Sequence, residues 1–449
     1  MASARKFAIL ACLALIPLIA TAQPNDPLRL TLDDAIRRGL QHNLGALVAE
    51  ARVDEAEGTL ARRQALLFPR ATFDTPITEQ TRNLRAMGID LKLPAGFPQL
   101  PEVVGPFTTY EFRVGASGPI IDRELVHVKR AAERQVTSAK RDYQQARNDV
   151  VRQIATLYLS AQSAQAQVTS ADAQVRTAEA LHNLAVAQRS EGVATGIDVV
   201  RAQVRLSRQR QALVTTRNTA QSTLLVLARN LGLPPSTNIA LSEVLQKSTL
   251  PAPSLESAMQ TSLGARSDYQ SLLAQREAVR EQQKASRARF LPRLLASGQF
   301  EGIGRSMYTI RGVGQAQASL QFTIFDRDRQ GEAKELAARA NRLEKQLADL
   351  QLGVEQQIRQ AVLNLNSAAE EVAVAEDTVH LAERELDLAK VRFESGVTNN
   401  VEVVDAQDAL AAAEQSLIIA LTHDSQSRID LAYAMGNTEQ NYQQFLGTK

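Results

Sequence analysis

The sequence predicts a mainly α-helical chain with a β-barrel portion, built as two tandem repeats that each hold one β-hairpin and one long helical hairpin. Three observations predict it. "SEGVATGIDVVRAQ", from Ser190 to Gln203, returns 204 positions later as "ESGVTNNVEVVDAQ", from Glu394 to Gln407, with Gly192/Gly396, Val199/Val403 and Gln203/Gln407 in register. Self-similarity at a fixed offset marks a repeat architecture. A proline-free stretch from Asp326 to Gly396 carries apolar residues at spacings of three and four, the signature of a packed helix. "GQAQASLQFTIFD" alternates apolar and polar residues, the signature of a strand with one dry face.

The chain opens on "MASARKFAILACLALIPLIATAQ", in which Arg5 and Lys6 precede an apolar run to Ala20 and a small-x-small site at Ala20-Thr21-Ala22. That pattern predicts a signal peptide over residues 1–22 and a mature chain from Gln23. The single cysteine, Cys12, lies inside the apolar run, and Leu10 two places before it is a poor residue for a lipidated cysteine. The mature chain is therefore expected to have no disulfide, thiolate metal site or thiol nucleophile. No other segment approaches the roughly 18 unbroken apolar residues of a membrane-spanning helix. A net charge of +2 with 22% charged residues favours no nucleic-acid partner.

Repeat 1 is expected over residues 23–235, with a helix, a β-hairpin at about 70–120 and a helical hairpin whose tip is near 192. A linker follows at 236–252. Repeat 2 takes residues 253–449, with a helix, a β-hairpin at about 293–325 and a tip near 396. Before the strands the register is different: "LTLDDAIRRGL" matches "PSLESAMQTSL", and Pro69 matches Pro292, at an offset of 223. Repeat 1 thus carries 223 − 204 = 19 extra residues between Pro69 and Asp122, in the Pro- and Gly-rich connection "NLRAMGIDLKLPAGFPQLPEVVGP".

Ile358, Ala361, Leu365, Ala368, Val372, Ala375, Val379, Ala382, Leu386, Ala389 and Phe393 form a heptad seam in which large residues alternate with alanine. Small residues at alternate positions let neighbouring helix backbones approach along their whole length. Repeat 1 carries the same seam 204 positions earlier, from Ile154 to Ala178, and continues it through His182, Ala185 and Arg189. A helix of some 70 residues would reach about 105 Å. Gly192 and Gly396 then end the long helices, and second helices return over about Ile197–Asn230 and Val401–Met435.

The alternating strand offers Ala316, Ala318, Leu320, Phe322 and Ile324 on one face and Gln315, Gln317, Ser319, Gln321 and Thr323 on the other. Tyr110, Phe112, Val114 and Ala116 form the matching apolar face in repeat 1, and each strand has a partner, near Ala71–Glu79 or Arg293–Ile303. Four such strands can cross a bilayer but cannot close. Unpaired sheet edges are not tolerated in lipid, where no water satisfies them. Three chains would supply twelve strands and a closed outer-membrane-type barrel with its polar face inward.

With its signal peptide, its "LTLDDAIRRGLQHN" opening, a Gly-x5-Asp/Glu-Val tip in both copies and matched Pro and Asp around each hairpin, the chain resembles the TolC-like outer-membrane efflux protein (outer membrane factor) family. The resemblance covers essentially the whole mature chain. It implies a homotrimer with a 12-stranded barrel in outer-membrane lipid, continuing into a periplasmic helical tunnel. It also implies a channel with no enzymatic activity and no cofactor. Its partners would be a periplasmic adaptor and an inner-membrane transporter of RND, ABC or MFS class, in a tripartite efflux or type I secretion system. A periplasmic coiled-coil adaptor would also show a signal peptide and a helical hairpin, but it predicts one hairpin between compact β domains. A secreted enzyme finds little support, since His42, His127, His182, His380 and His423 show no paired metal-ligand spacing.

The resemblance also implies a ring of carboxylates near the periplasmic end, at positions matching Glu402 and Asp405. Three residues apart, these share a helix face, though acids in a first turn also stabilise a helix N-terminus by about 0.3 to 1 kcal/mol. Arg201 stands where Asp405 stands in the second copy and is a candidate partner for either acid. Asp198 matches an aspartate that ties the closed tip in some members, whereas Phe393 and Thr398 lack the phenol and the charge that pair with it there. The tips themselves, Gly192, Val193, Gly396 and Val397, lie farthest from the barrel and are the candidate adaptor-docking surface.

Overall fold

The computed structural model describes residues 27–89, 94, 96, 98, 101–192, 194–247, 254–395, 397, 400–436 and 438–446. Repeat 1 begins with strand β1 (Leu28–Leu30) and helices α1 (Leu32–His42) and α2 (Leu44–Ala65). Asn43 breaks the two helices apart, its side-chain oxygen accepting from Gly45 N at 2.8 Å to cap α2. Strands β2 (Arg70–Asp74), β3 (Ile77–Asn83) and β4 (Val103–Ile121) follow, then α3 (Arg123–Ser190), α4 (Gly196–Asn230) and β5 (Ile239–Leu241). Repeat 2 runs α5 (Leu255–Ala265), α6 (Ser267–Ala288), β6 (Arg293–Gly304), β7 (Arg311–Gln321), α7 (Asp328–Glu394), α8 (Asn400–Ala434) and α9 (Thr438–Leu446).

The long helices are unbroken over 68 and 67 residues, about 100 Å each. Neither contains proline, and Asp122 starts α3 by accepting from Leu125 N at 3.1 Å. Every position of the α7 seam is buried except Val379, which is half-buried. In α3 the alanines of the seam are buried, and His182 and Arg189 interrupt it towards the tip. The helices lie as α4 on α3, α3 on α8 and α8 on α7. A core of Leu32, Ile36, Val151, Ile154, Tyr158, Leu227 and Ile429 joins the hairpins partway along. Tyr158 OH donates to Leu30 O at 3.0 Å there, which satisfies the one polar atom of a fully buried ring. Among the described residues no helix is long and apolar enough to cross a membrane.

The sheet is antiparallel in the order β2-β4-β6-β7, with β3 continuing beyond β2 along the same side of β4. The single strand expected near Ala71–Glu79 is thus two, parted at Pro76, which has no N–H to donate. The last strand stops at Gln321, so Phe322 and Ile324 fall outside the sheet. Gln321 pairs with Arg293, and the next partner would be Pro292. Two other features went unforeseen: β5 lies within the segment read as a linker and pairs in parallel with β1, and α9 folds back beside α8.

Register divides the sheet into two chemically distinct faces. Phe73, Val114 and Phe300 stand in one row of the first, with Leu294 beside Leu320 and Ala296 beside Ala318. Asp74, Arg113 and Glu301 stand in one row of the second, with Gln299 beside Gln315 and Ser297 beside Gln317. Phe112 and Phe300 lean together on the apolar face with ring centroids 5.8 Å apart. They occupy the space over Gly302 and Gly312, where an added Cβ would lie 2.2 and 2.5 Å from a ring carbon. Among the described residues both outer edges of the sheet are unpaired.

Candidate functional site at the hairpin tips

Each tip is a helix stop followed by a helix start. Gly192 closes α3 with φ +77°, a conformation that strains any residue with a Cβ, and its N–H reaches Arg189 O at 3.1 Å. Thr195 then starts α4. Asp198 accepts from Thr195 N at 3.0 Å and from Thr195 Oγ1 at 2.6 Å, a reciprocal cap. Hydrogen bonds from the Thr195 side chain and backbone hold the Asp198 carboxyl below the usual aspartate range, with Arg201 adding a weaker pull. In the second copy Val397 is exposed, and its N–H bonds Arg392 O at 3.0 Å. Val193, Gly396 and Thr398 lie outside the described residues.

Glu402 and Asp405 both sit at the start of α8, Glu402 half-buried and Asp405 exposed. Glu402 does not stand uncompensated. Arg392, ten residues back across the turn, brings its Nε to 3.3 Å from Glu402 Oε1. That partner is the one the sequence reading missed, having looked to Arg201. Arg201 is exposed on α4, near Asp198. Phe393 packs with Leu386, Ala389, Val403, Ala406 and Leu181 in an apolar cluster, so hydrophobic contact joins α7 and α8 to α3 close to the tip.

Farther from the tip, the seam between α3, α4 and α8 is polar. Arg205, with its side chain only 13% exposed, is ion-paired to Asp408. With its amide turned to suit its neighbours, Gln209 accepts from Arg205 Nη2 at 2.7 Å and donates to Gln174 Oε1 at 3.3 Å. Ser170 Oγ donates to Glu414 Oε2 at 2.5 Å, and Gln174 Nε2 donates to Ser170 at 3.1 Å. Burial and the neighbouring Arg208 push the Arg205 guanidinium below its usual value. Nothing in the sequence announces this network, because each member alone reads as a solvated helix face.

Matched against known families, residues 35–233 and 258–437 each fit the outer membrane efflux protein profile. No curated protein sequence matches the chain. Among solved structures, the outer membrane protein VceC of Vibrio cholerae superposes with a TM-score of 0.75 at 18% identity, over 90% of this chain and 96% of that one. The CmeC outer membrane channel of Campylobacter jejuni gives 0.77 at 15% identity, over 91% and 86%. The open state of the MtrE channel of Neisseria gonorrhoeae gives 0.75 at 15% identity, over 91% and 89%. The two-repeat fold, a sheet continued by long helical hairpins, is theirs, and the adaptor alternative falls. With both repeats matched, the chain belongs to the outer membrane efflux protein family, whose members are channels rather than enzymes.

Proposed function

We propose that three copies close into one conduit, which takes solute from an inner-membrane transporter through a periplasmic adaptor docked at the tips and releases it outside. The observation that carries this is a seam used once inside the chain and left open twice. Within the chain α3 of repeat 1 meets α8 of repeat 2. By the 204-residue repeat, α7 should meet an α4, yet among the described residues the matching face of α7 is uncovered. Leu352, Leu363, Val374, Leu381 and Leu388 form an exposed apolar stripe along it. On α4, Val200, Val204, Val214 and Leu225 are exposed in turn. Two complementary faces on opposite sides of one chain make a heterologous contact, which closes into a ring when the rotation allows.

The repeat supplies the contacts expected across that boundary. The Ser170–Glu414 bond maps onto Val374 of one copy and Arg210 of the next, and the Gln145–Tyr433 bond maps onto Asp349 and Arg229, which bear opposite charges. With Val374→Cys and Arg210→Cys in one chain, a short bis-maleimide should yield covalent trimers from outer-membrane fractions. Monomer alone after complete labelling would sink the ring.

At the inner end, Glu402 and Asp405 are proposed to line the aperture, giving two rings of three carboxylates that favour cations. Since Arg392 offsets Glu402, Asp405 should carry more of the selectivity. In planar bilayers Asp405→Ala is expected to lower cation preference more than Glu402→Ala, and Asp198→Ala, in its cap, least. Unchanged selectivity in the Glu402→Ala/Asp405→Ala double variant would leave these acids as helix-terminus stabilisers. Docking is assigned to Gly192, Val193, Gly396 and Val397. A Cβ at Gly192 would meet open space, so a bulky residue there strains only the turn. Substitutions at both glycines should keep trimers and abolish export; full export would remove the assignment.

A further inference from the structure

Four strand–helix junctions lie at one end of the sheet, because each repeat climbs one strand and returns by the next. Register keeps them level: Pro69 lies against Gly118, Ile121 pairs with Leu294 and Arg293 pairs with Gln321. All four junctions share one composition. Before β2, Leu66 and Phe68 are exposed, and Arg62 and Arg63 stand in the last turn of α2. At the end of β4, Ile120 and Ile121 are exposed, and Arg123 opens α3. Before β6, Leu291 is exposed and Arg287 stands in the last turn of α6. After β7, Phe322, Ile324 and Phe325 are exposed and Arg327 precedes α7.

These arginines are not used to hold the fold. Arg289 is, reaching Glu124 and Glu332 at 3.3 Å and Asp326 at 3.8 Å to tie three junctions together. By contrast Arg62, Arg63, Arg123, Arg287 and Arg327 are exposed and in no ion pair among the described residues. Arg287 and Arg329 line a cleft between the end of α6 and the start of α7, with Gln283, Ser286 and Gln330 beside them and Leu336 among its apolar lining.

An apolar side chain on the sheet side with an arginine a few residues away on the helix side, at all four junctions, matches the boundary where hydrocarbon gives way to phosphate. Arginine's planar fork suits phosphate oxygens better than lysine's point charge does. We infer that this collar binds the phosphate groups of anionic phospholipid in the leaflet facing the helices. The inference rests on the barrel reading above. Free phosphate would have no use for the apolar residues that accompany every arginine.

The test uses wild-type trimer in detergent, given phosphatidylglycerol or phosphatidylcholine of the same acyl chains, with inorganic phosphate as a third arm. Several arginines acting together should retain phosphatidylglycerol about tenfold more tightly than phosphatidylcholine, measured as lipid co-purifying from an equal mixture. Phosphatidylglycerol alone should raise the temperature at which trimers dissociate. The variant Arg62→Gln/Arg123→Gln/Arg287→Gln/Arg327→Gln should keep its trimers and lose both differences. Equal retention of the two lipids by wild type overturns the inference, whether or not the variant assembles. So does a variant that keeps the preference, or stabilisation by inorganic phosphate to the same extent. A wild type that never forms trimers would instead sink the proposed function.

Discussion

A chain carrying Leu381→Asp and Leu388→Asp should reach the periplasm, fold its hairpins and remain monomeric. Both leucines are about two-thirds exposed in the single chain, and neither belongs to the buried seam of α7. Their removal leaves the α7–α8 contact intact. Their positions 204 residues earlier, Thr177 and Leu184, are partly buried beside α8. Covering a leucine contributes roughly 1.5 to 3 kcal/mol, and a closed ring would cover both leucines at three boundaries, so about 10 kcal/mol is at stake before the cost of desolvating a carboxylate. Trimer yield should fall below detection on unheated gels. A substitution outside the stripe, such as Glu376→Gln, is the control. Wild-type trimer yield from the double variant would place the boundary elsewhere.

The second large effect is expected in the sheet. Phe300→Arg with Leu320→Arg puts two charges on the apolar face, where a basic residue costs roughly 2 to 4 kcal/mol near the bilayer midplane and about 0 to 1 kcal/mol towards the interface, nearer to which Leu320 stands. Three chains multiply that cost, and outer-membrane assembly should fail. Gln317→Arg changes the same strand on the opposite face, beside Ser297, and should assemble normally. Equal loss in both, or equal tolerance of both, would show that the two faces do not meet different solvents.

Much of this architecture was legible in the sequence, and the limits have physical causes. Alternating large residue and alanine exposed the seams of α3 and α7 because helix packing is periodic and local. Gly192 at the first tip was legible because a sharp stop leaves a compositional mark. The end of β7 was not, since a strand stops where its partner stops, and that partner's limit was Pro292, some thirty residues away. Strand β5 and helix α9 are held by what they touch: β5 by its pairing with β1, and α9 through the Glu439–Arg147 ion pair and the Tyr442–Asp33 hydrogen bond. The Arg392–Glu402 pair depends on how a hairpin folds across its tip. Read along the chain, Glu402 and Asp405 were simply two acids on one face.

The polar seam of Arg205, Asp408, Ser170 and Glu414 has a further consequence once its covalent setting is considered. The two helical hairpins it joins belong to one polypeptide, so each presents itself to the other at the high effective concentration of tethered partners, on the order of millimolar. Such a boundary can be weak and still always re-form. Separate chains have no such guarantee and must find one another by diffusion in a dilute compartment, and the open faces of α7 and α4 are correspondingly greasy. Duplication of an ancestral unit would therefore have released one boundary in every two from the duty of recruiting its neighbour, leaving that boundary free to wet, slide and re-pair while the ring around it stays whole.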